Sequence, residues 1–81
     1  MLSFERKIKT SIGNRTFLFK KVYRIDGYRY NVSVFGHVTN NYFSLIKDGH
    51  GWVFNRPNLV SDWIAEVHFE LINTIEQNEL E

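Results

Sequence analysis

Three observations place this 81-residue chain in the α+β class. Short alternating apolar stretches fill its front, glycine-bearing turn signals separate them, and one apolar stripe at helical period occupies its last third. The expected architecture has two layers: an antiparallel β-meander of four or five strands, with one C-terminal helix packed on one face. Residues 1–81 are read as a single small domain.

The opening residues fit two patterns. Phe4, Ile8 and Ile12 are spaced for a helix. Arg6, Ile8, Thr10 and Ile12 also alternate with Lys7, Lys9 and Ser11, as in a strand. An edge strand is preferred, its outward lysines guarding the open edge. Gly13-Asn14 then offers a two-residue turn.

Thr16 to Ile25 reads as a strand, and Asp26-Gly27 is the strongest hairpin signal in the chain. Tyr28 to Phe35 returns. Closing on that turn pairs Ile25 with Tyr28, Tyr23 with Tyr30, Lys21 with Val32 and Phe19 with Val34 on an apolar face. The other face pairs Arg24 with Arg29, Val22 with Asn31 and Lys20 with Ser33. Gly36 to Asn41 is expected to be a loop. Tyr42 to Lys47 and Trp52 to Asn55 complete the sheet around Asp48-Gly49-His50-Gly51. Phe43, Leu45, Trp52 and Phe54 point inward.

The helix is expected over Leu59 to Glu76, with Ser61 as its cap. Val60, Trp63, Ile64, Val67, Leu71 and Ile75 form its apolar stripe, and Asp62, Glu66, Glu70 and Asn73 face water. Glu76, Glu79 and Glu81 carry the wrong sign for a helix C-terminus, so fraying is expected after about residue 77. Phe69 lies off the stripe, at the edge of the packed surface.

The chain is 43% hydrophobic and 16% aromatic, too rich for a disordered segment. It has no cysteine, which excludes disulfides, thiolate metal sites and a cysteine nucleophile. No apolar run approaches membrane length and no charged-then-apolar leader is present, so a soluble cytoplasmic protein is expected. Charge is uneven. Residues 1–30 hold eight Lys/Arg and two acids, net +6; residues 31–81 hold two Lys/Arg and seven acids, net −5, which returns the formal +1.

Few residues suggest chemistry. His37 and His50 read as polar turn residues, and His68 as a boundary residue bonded to backbone. Asp48-Gly49-His50-Gly51 lacks the strand-to-helix context of a phosphate loop. Paired carboxylates in a cleft are not apparent, so no catalytic, cofactor-binding or metal-binding residue is assigned and an enzyme is not expected.

The expected role is a small intracellular binding module. It would act through protein–protein contact or self-association on the sheet face that the helix leaves bare. The candidate surface is Lys20, Val22, Arg24, Arg29, Phe35, Tyr42, Ile46 and Val53. The alternative is nucleic-acid binding by the first hairpin, where Lys20, Lys21, Arg24 and Arg29 cluster near Tyr28, Tyr30 and Tyr42. Arg24 opposite Arg29 would be a costly like-charge pair that a polyanion relieves. No membrane partner, small-molecule substrate or cofactor is expected. The strands-then-helix order is similar to that of many short bacterial or phage open reading frames; no named family is recognised in these residues.

Overall fold

The computed structural model describes residues 2–35, 42–49 and 51–81. Five strands form one antiparallel sheet in sequence order: β1 (Ser3–Thr10), β2 (Gly13–Arg24), β3 (Gly27–Val34), β4 (Tyr42–Asp48) and β5 (Gly51–Asn55). The opening residues therefore form an edge strand, β1, with Lys7 and Lys9 exposed. A 3-10 turn (Pro57–Leu59), a short helix α1 (Asp62–Ala65) and a longer helix α2 (His68–Glu79) follow. This is the two-layer α+β meander that the periodicities predict. Among the described residues no helix is long and apolar enough to cross a membrane.

The hairpins close differently from expectation. Thr10 pairs with Gly13 around Ser11-Ile12, and Arg24 pairs with Gly27 around Ile25-Asp26. Neither glycine lies inside its turn. Each opens the return strand instead, at φ 106° and 138°, values that L side chains resist. Thr10 staples the first turn: its hydroxyl donates to the Gly13 carbonyl (2.6 Å) and accepts from the Ile12 amide (3.2 Å). The third hairpin pairs Asp48 with Gly51.

The register of β2 on β3 consequently moves by two residues. Phe19 pairs with Val32, Lys21 with Tyr30, Val22 with Arg29 and Tyr23 with Tyr28. A shift of two preserves the face of every side chain, because strand side chains alternate with period two. The expected inner set therefore survives while its partners change. Two members are lost to water. Ile25 sits at the hairpin tip, fully exposed, and Tyr23 is 65% exposed on the part of the hairpin beside it.

The core is a single cluster on the inner face. Ile8, Phe17, Phe19, Tyr30, Val32, Val34, Phe43, Leu45 and Trp52 of the sheet meet Ile64, Val67, Leu71 and Ile75 of the helices. Leu71 and Ile75 are completely buried, each contributing about 1.5–3 kcal/mol of apolar transfer. Trp63 packs at the margin against Phe17, ring centroids 6.4 Å apart. Phe69 is 76% exposed, off the stripe as its position implies.

The expected single helix is two. The Val67 amide bonds to the Ile64 carbonyl (3.0 Å), a tightened last turn, and Val67 itself leaves helical geometry at φ −107° and ψ 21°. Its carbonyl then accepts from the amides of Glu70 and Leu71 and starts α2. His68 bridges the break, its Nδ1 at 3.2 Å from the Ala65 carbonyl, which makes it the backbone-bonded boundary residue expected. The break keeps Ile64, Val67 and Leu71 all buried against the sheet. Fraying near residue 77 does not occur either: α2 continues to Glu79, held by contacts described below.

Candidate interaction face

Residues of one parity in each strand share the face turned away from the helices. The pairings arrange them in rows across the sheet. One row runs Val22–Arg29–Ile46–Val53, a second Ser3–Lys20–Asn31–Ser44–Asn55, and a third Glu5–Leu18–Ser33–Tyr42. Phe35 extends the face beside Thr16, to whose carbonyl its amide bonds at 2.9 Å. Arg24 lies one row beyond Val22, across from Gly27.

All eight candidate residues thus lie on one face: Lys20, Val22, Arg24, Arg29, Phe35, Tyr42, Ile46 and Val53. The helices pack on the other side. Phe35, Tyr42 and Val53 are 46%, 60% and 41% exposed. Val22, Arg29 and Ile46 are half-buried among their neighbours. Ser44 donates to the Asn31 side-chain oxygen at 2.8 Å, so the middle of the polar row is internally satisfied.

One premise is overturned. Arg24 and Arg29 do not face each other, since Arg29 pairs with Val22. The like-charge cost, and the idea that a polyanion relieves it, go with that pair.

Charge follows the layers more than the halves of the chain. By strand parity the outer face carries Lys7, Lys9, Lys20, Arg24 and Arg29 against Glu5 and Asp48. Residues 61–81, the helical layer, carry Asp62, Glu66, Glu70, Glu76, Glu79 and Glu81 with no lysine or arginine.

The inner face uses the other half of the first hairpin's polar groups. Glu79, the last residue of α2, reaches the sheet. Tyr28 donates to its Oε1, Tyr30 donates to its Oε2, and Lys21 Nζ lies 3.0 Å from Oε2. Asn78 Nδ2 donates to the Tyr30 oxygen at 2.9 Å. The Lys21 ammonium also stands over the Tyr28 ring, 4.3 Å from its centroid. Trp52 closes the group edge-on to Tyr30, with centroids 5.2 Å apart.

These contacts set the acidities. Burial pushes the Glu79 carboxyl up, but the hydroxyls of Tyr28 and Tyr30 and the Lys21 ammonium outweigh it and lower the carboxyl to about 2. Burial, then the hydrogen bond to Glu79, pushes the Tyr30 hydroxyl up to about 12. The hydrogen bond to Glu79 likewise raises Lys21 and Tyr28. Such a carboxylate is a poor base, and both its oxygens are occupied. Its chemistry is that of a tie between helix end and sheet.

Reasoning from sequence missed this tie. Its partners lie 49 to 58 residues from Glu79, beyond any local window. It also missed the rim residues Asn55, Arg56 and Leu59, which with Arg29, Tyr42 and Ser44 line a hollow of 340 Å³ at one end of the outer face. His37, His50 and the loop expected at residues 36–41 lie outside the described residues. Comparison with family models, curated proteins and solved structures finds no match to the chain.

Proposed function

We propose that the chain is a binding module that presents the outer sheet face to an acidic protein surface. The observation that supports this is the aliphatic row Val22, Ile46 and Val53, crossed by Arg29 and flanked by Lys20 and Arg24, with no layer over it among the described residues. An antiparallel sheet can face water on one side. A face serving only solvation does not need Phe35, Tyr42 and Val53 exposed together.

Charge selects the partner. Two copies meeting outer face to outer face would oppose cations with cations. The helical layer of a second copy, or an equally acidic surface of another protein, matches in sign. The nucleic-acid reading loses support, because Lys21, Tyr28 and Tyr30 are committed to Glu79. Of the first hairpin's basic cluster, only Lys20, Arg24 and Arg29 remain for phosphates.

Sedimentation velocity from micromolar to millimolar concentration tests the self-associating form. The expected result is mass that grows with concentration, shrinks with added salt and is lost in Val53→Lys. A single monomeric species at millimolar concentration and low salt overturns self-association and leaves a foreign acidic partner. Association that Val53→Lys does not change overturns this face. Retardation of a polynucleotide at low salt would favour the nucleic-acid reading instead.

A further inference from the structure

We infer that the hollow at the end of the outer face is a binding site for a phosphomonoester dianion carried on a small apolar body. It is lined by the guanidinium-bearing Arg29 of β3 and Arg56 after β5. Tyr42 and Asn55 add a hydroxyl and a side-chain amide, Ser44 lines the floor with its own hydroxyl donated to Asn31, and Leu59 supplies an apolar wall. The lining contains no carboxylate. The only ion pair among the described residues is Lys21 with Glu79, so both arginines are free of one there. Four donor side chains, Arg29, Arg56, Tyr42 and Asn55, and two positive charges exceed what a carboxylate can use. They suit the three oxygens and near −2 charge of a phosphomonoester. The 340 Å³ volume is at the lower end of small-ligand sites.

Backbone geometry adds an independent reason. Arg56 is the sole residue other than glycine at positive φ among those described, at φ 64° and ψ 64°. An L side chain is disfavoured there and glycine is not. A turn that needed only its backbone would be better served by glycine. The side chain therefore has a use that offsets the strain, and it lies on the rim of the hollow.

This deepens the binding reading and rests on it, because the anion would be the anchor of the partner that the outer face receives. The favoured source is a phosphorylated side chain of a protein, consistent with recognition of phosphorylated motifs by arginine clusters.

The test titrates the full chain with phenyl phosphate, phenyl sulfate and benzyl alcohol, followed by the amide resonances of Asn55 and Arg56. Saturable shifts from phenyl phosphate are expected, at least tenfold tighter than from the singly charged sulfate, with none from the alcohol. Arg56→Gly is the decisive variant. Glycine accepts the backbone, so the fold and its melting midpoint persist, while affinity falls tenfold or more. Arg29→Gln is expected to do the same. Undiminished binding in Arg56→Gly, or no difference between phosphate and sulfate, overturns the site. A phosphotyrosine peptide binding more tightly than phenyl phosphate, with the unphosphorylated peptide silent, supports the protein source. Equal affinity for peptide and phenyl phosphate overturns that source. If Val53→Lys alters association while phenyl phosphate does not bind, the hollow fails and the interaction face stands. If the chain associates unchanged in Val53→Lys and phenyl phosphate does not bind, both fail.

Discussion

Lys20 and Lys21 are neighbours in one strand, yet they live in different chemical worlds. Lys21 points inward, bonds to Glu79 and stands over the Tyr28 ring. Lys20 points outward in a row of neutral polar residues and stays exposed. The tyrosines divide in the same way: Tyr30 is fully buried and tied to the helix end, while Tyr42 is 60% exposed beside the hollow. Composition does not distinguish a binding surface from a structural one here. What distinguishes them is whether the fold already satisfies the polar groups. Lys21, Tyr28 and Tyr30 of the inner face are satisfied by Glu79, whereas Lys20 and Tyr42 of the outer face stay exposed.

The contrast is broken most directly by truncating one tyrosine on each side. Tyr30→Ala is expected to cost about 3–5 kcal/mol in urea denaturation, a large aromatic lost from the core together with its hydroxyl. Tyr42→Ala should stay within about 0.5 kcal/mol, as surface changes do. Equal costs would mean that the outer face is packed against something.

Next in size is the carboxylate. Glu79→Gln is expected to cost about 1–3 kcal/mol near neutral pH, by weakening charge-assisted bonds from three donors. The sign of the pH dependence follows from Glu79 lying at about 2 against the ordinary carboxyl value of 4.5. Its contribution is present above pH 4.5 and is lost as pH falls towards 2. Tyr30, raised from 10.0 to about 12, acts at the other limit, its contribution fading as pH climbs between those values. Chemical denaturation against pH should therefore show an acid loss that Glu79→Gln flattens. An unchanged acid limb in the variant would show that the tie is not formed in solution.

The smallest effect sharpens the comparison. Lys21→Gln should cost about 0.5–1 kcal/mol and Lys20→Gln nothing measurable, the difference between a half-buried ion pair with ring contacts and a solvated cation. Matched melting curves for the two variants would erase the distinction between the faces.

How much of this was legible beforehand depends on the range of the interaction. Alternation fixed the face of Phe17, Phe19, Val32, Leu45 and Trp52, and it placed all eight outer candidates together. It could not fix the β2–β3 register, because a slip of two leaves the alternation intact and the position of Gly27 admits both closures. Helical spacing identified Ile64, Val67, Leu71 and Ile75 but not the break at Val67, where burial outweighs helix continuity. The acidic helix end was misjudged for the same kind of reason. A local dipole penalty of about 0.3–1 kcal/mol is outweighed by partners on distant strands. Arg56 carried no local sign of its positive φ.

The neighbour-to-neighbour strand order has a kinetic consequence. Every strand pairing joins segments adjacent in the chain, so the ribbon can zip with little loop-closure entropy. The roof arrives last. At about 5–20 residues per second, the chain from Arg56 to Glu79 is synthesised over about 1–5 seconds after the last strand. Until α2 folds back, the aromatic underside of the ribbon has no cover, since Ile64, Val67, Leu71 and Ile75 are what bury it.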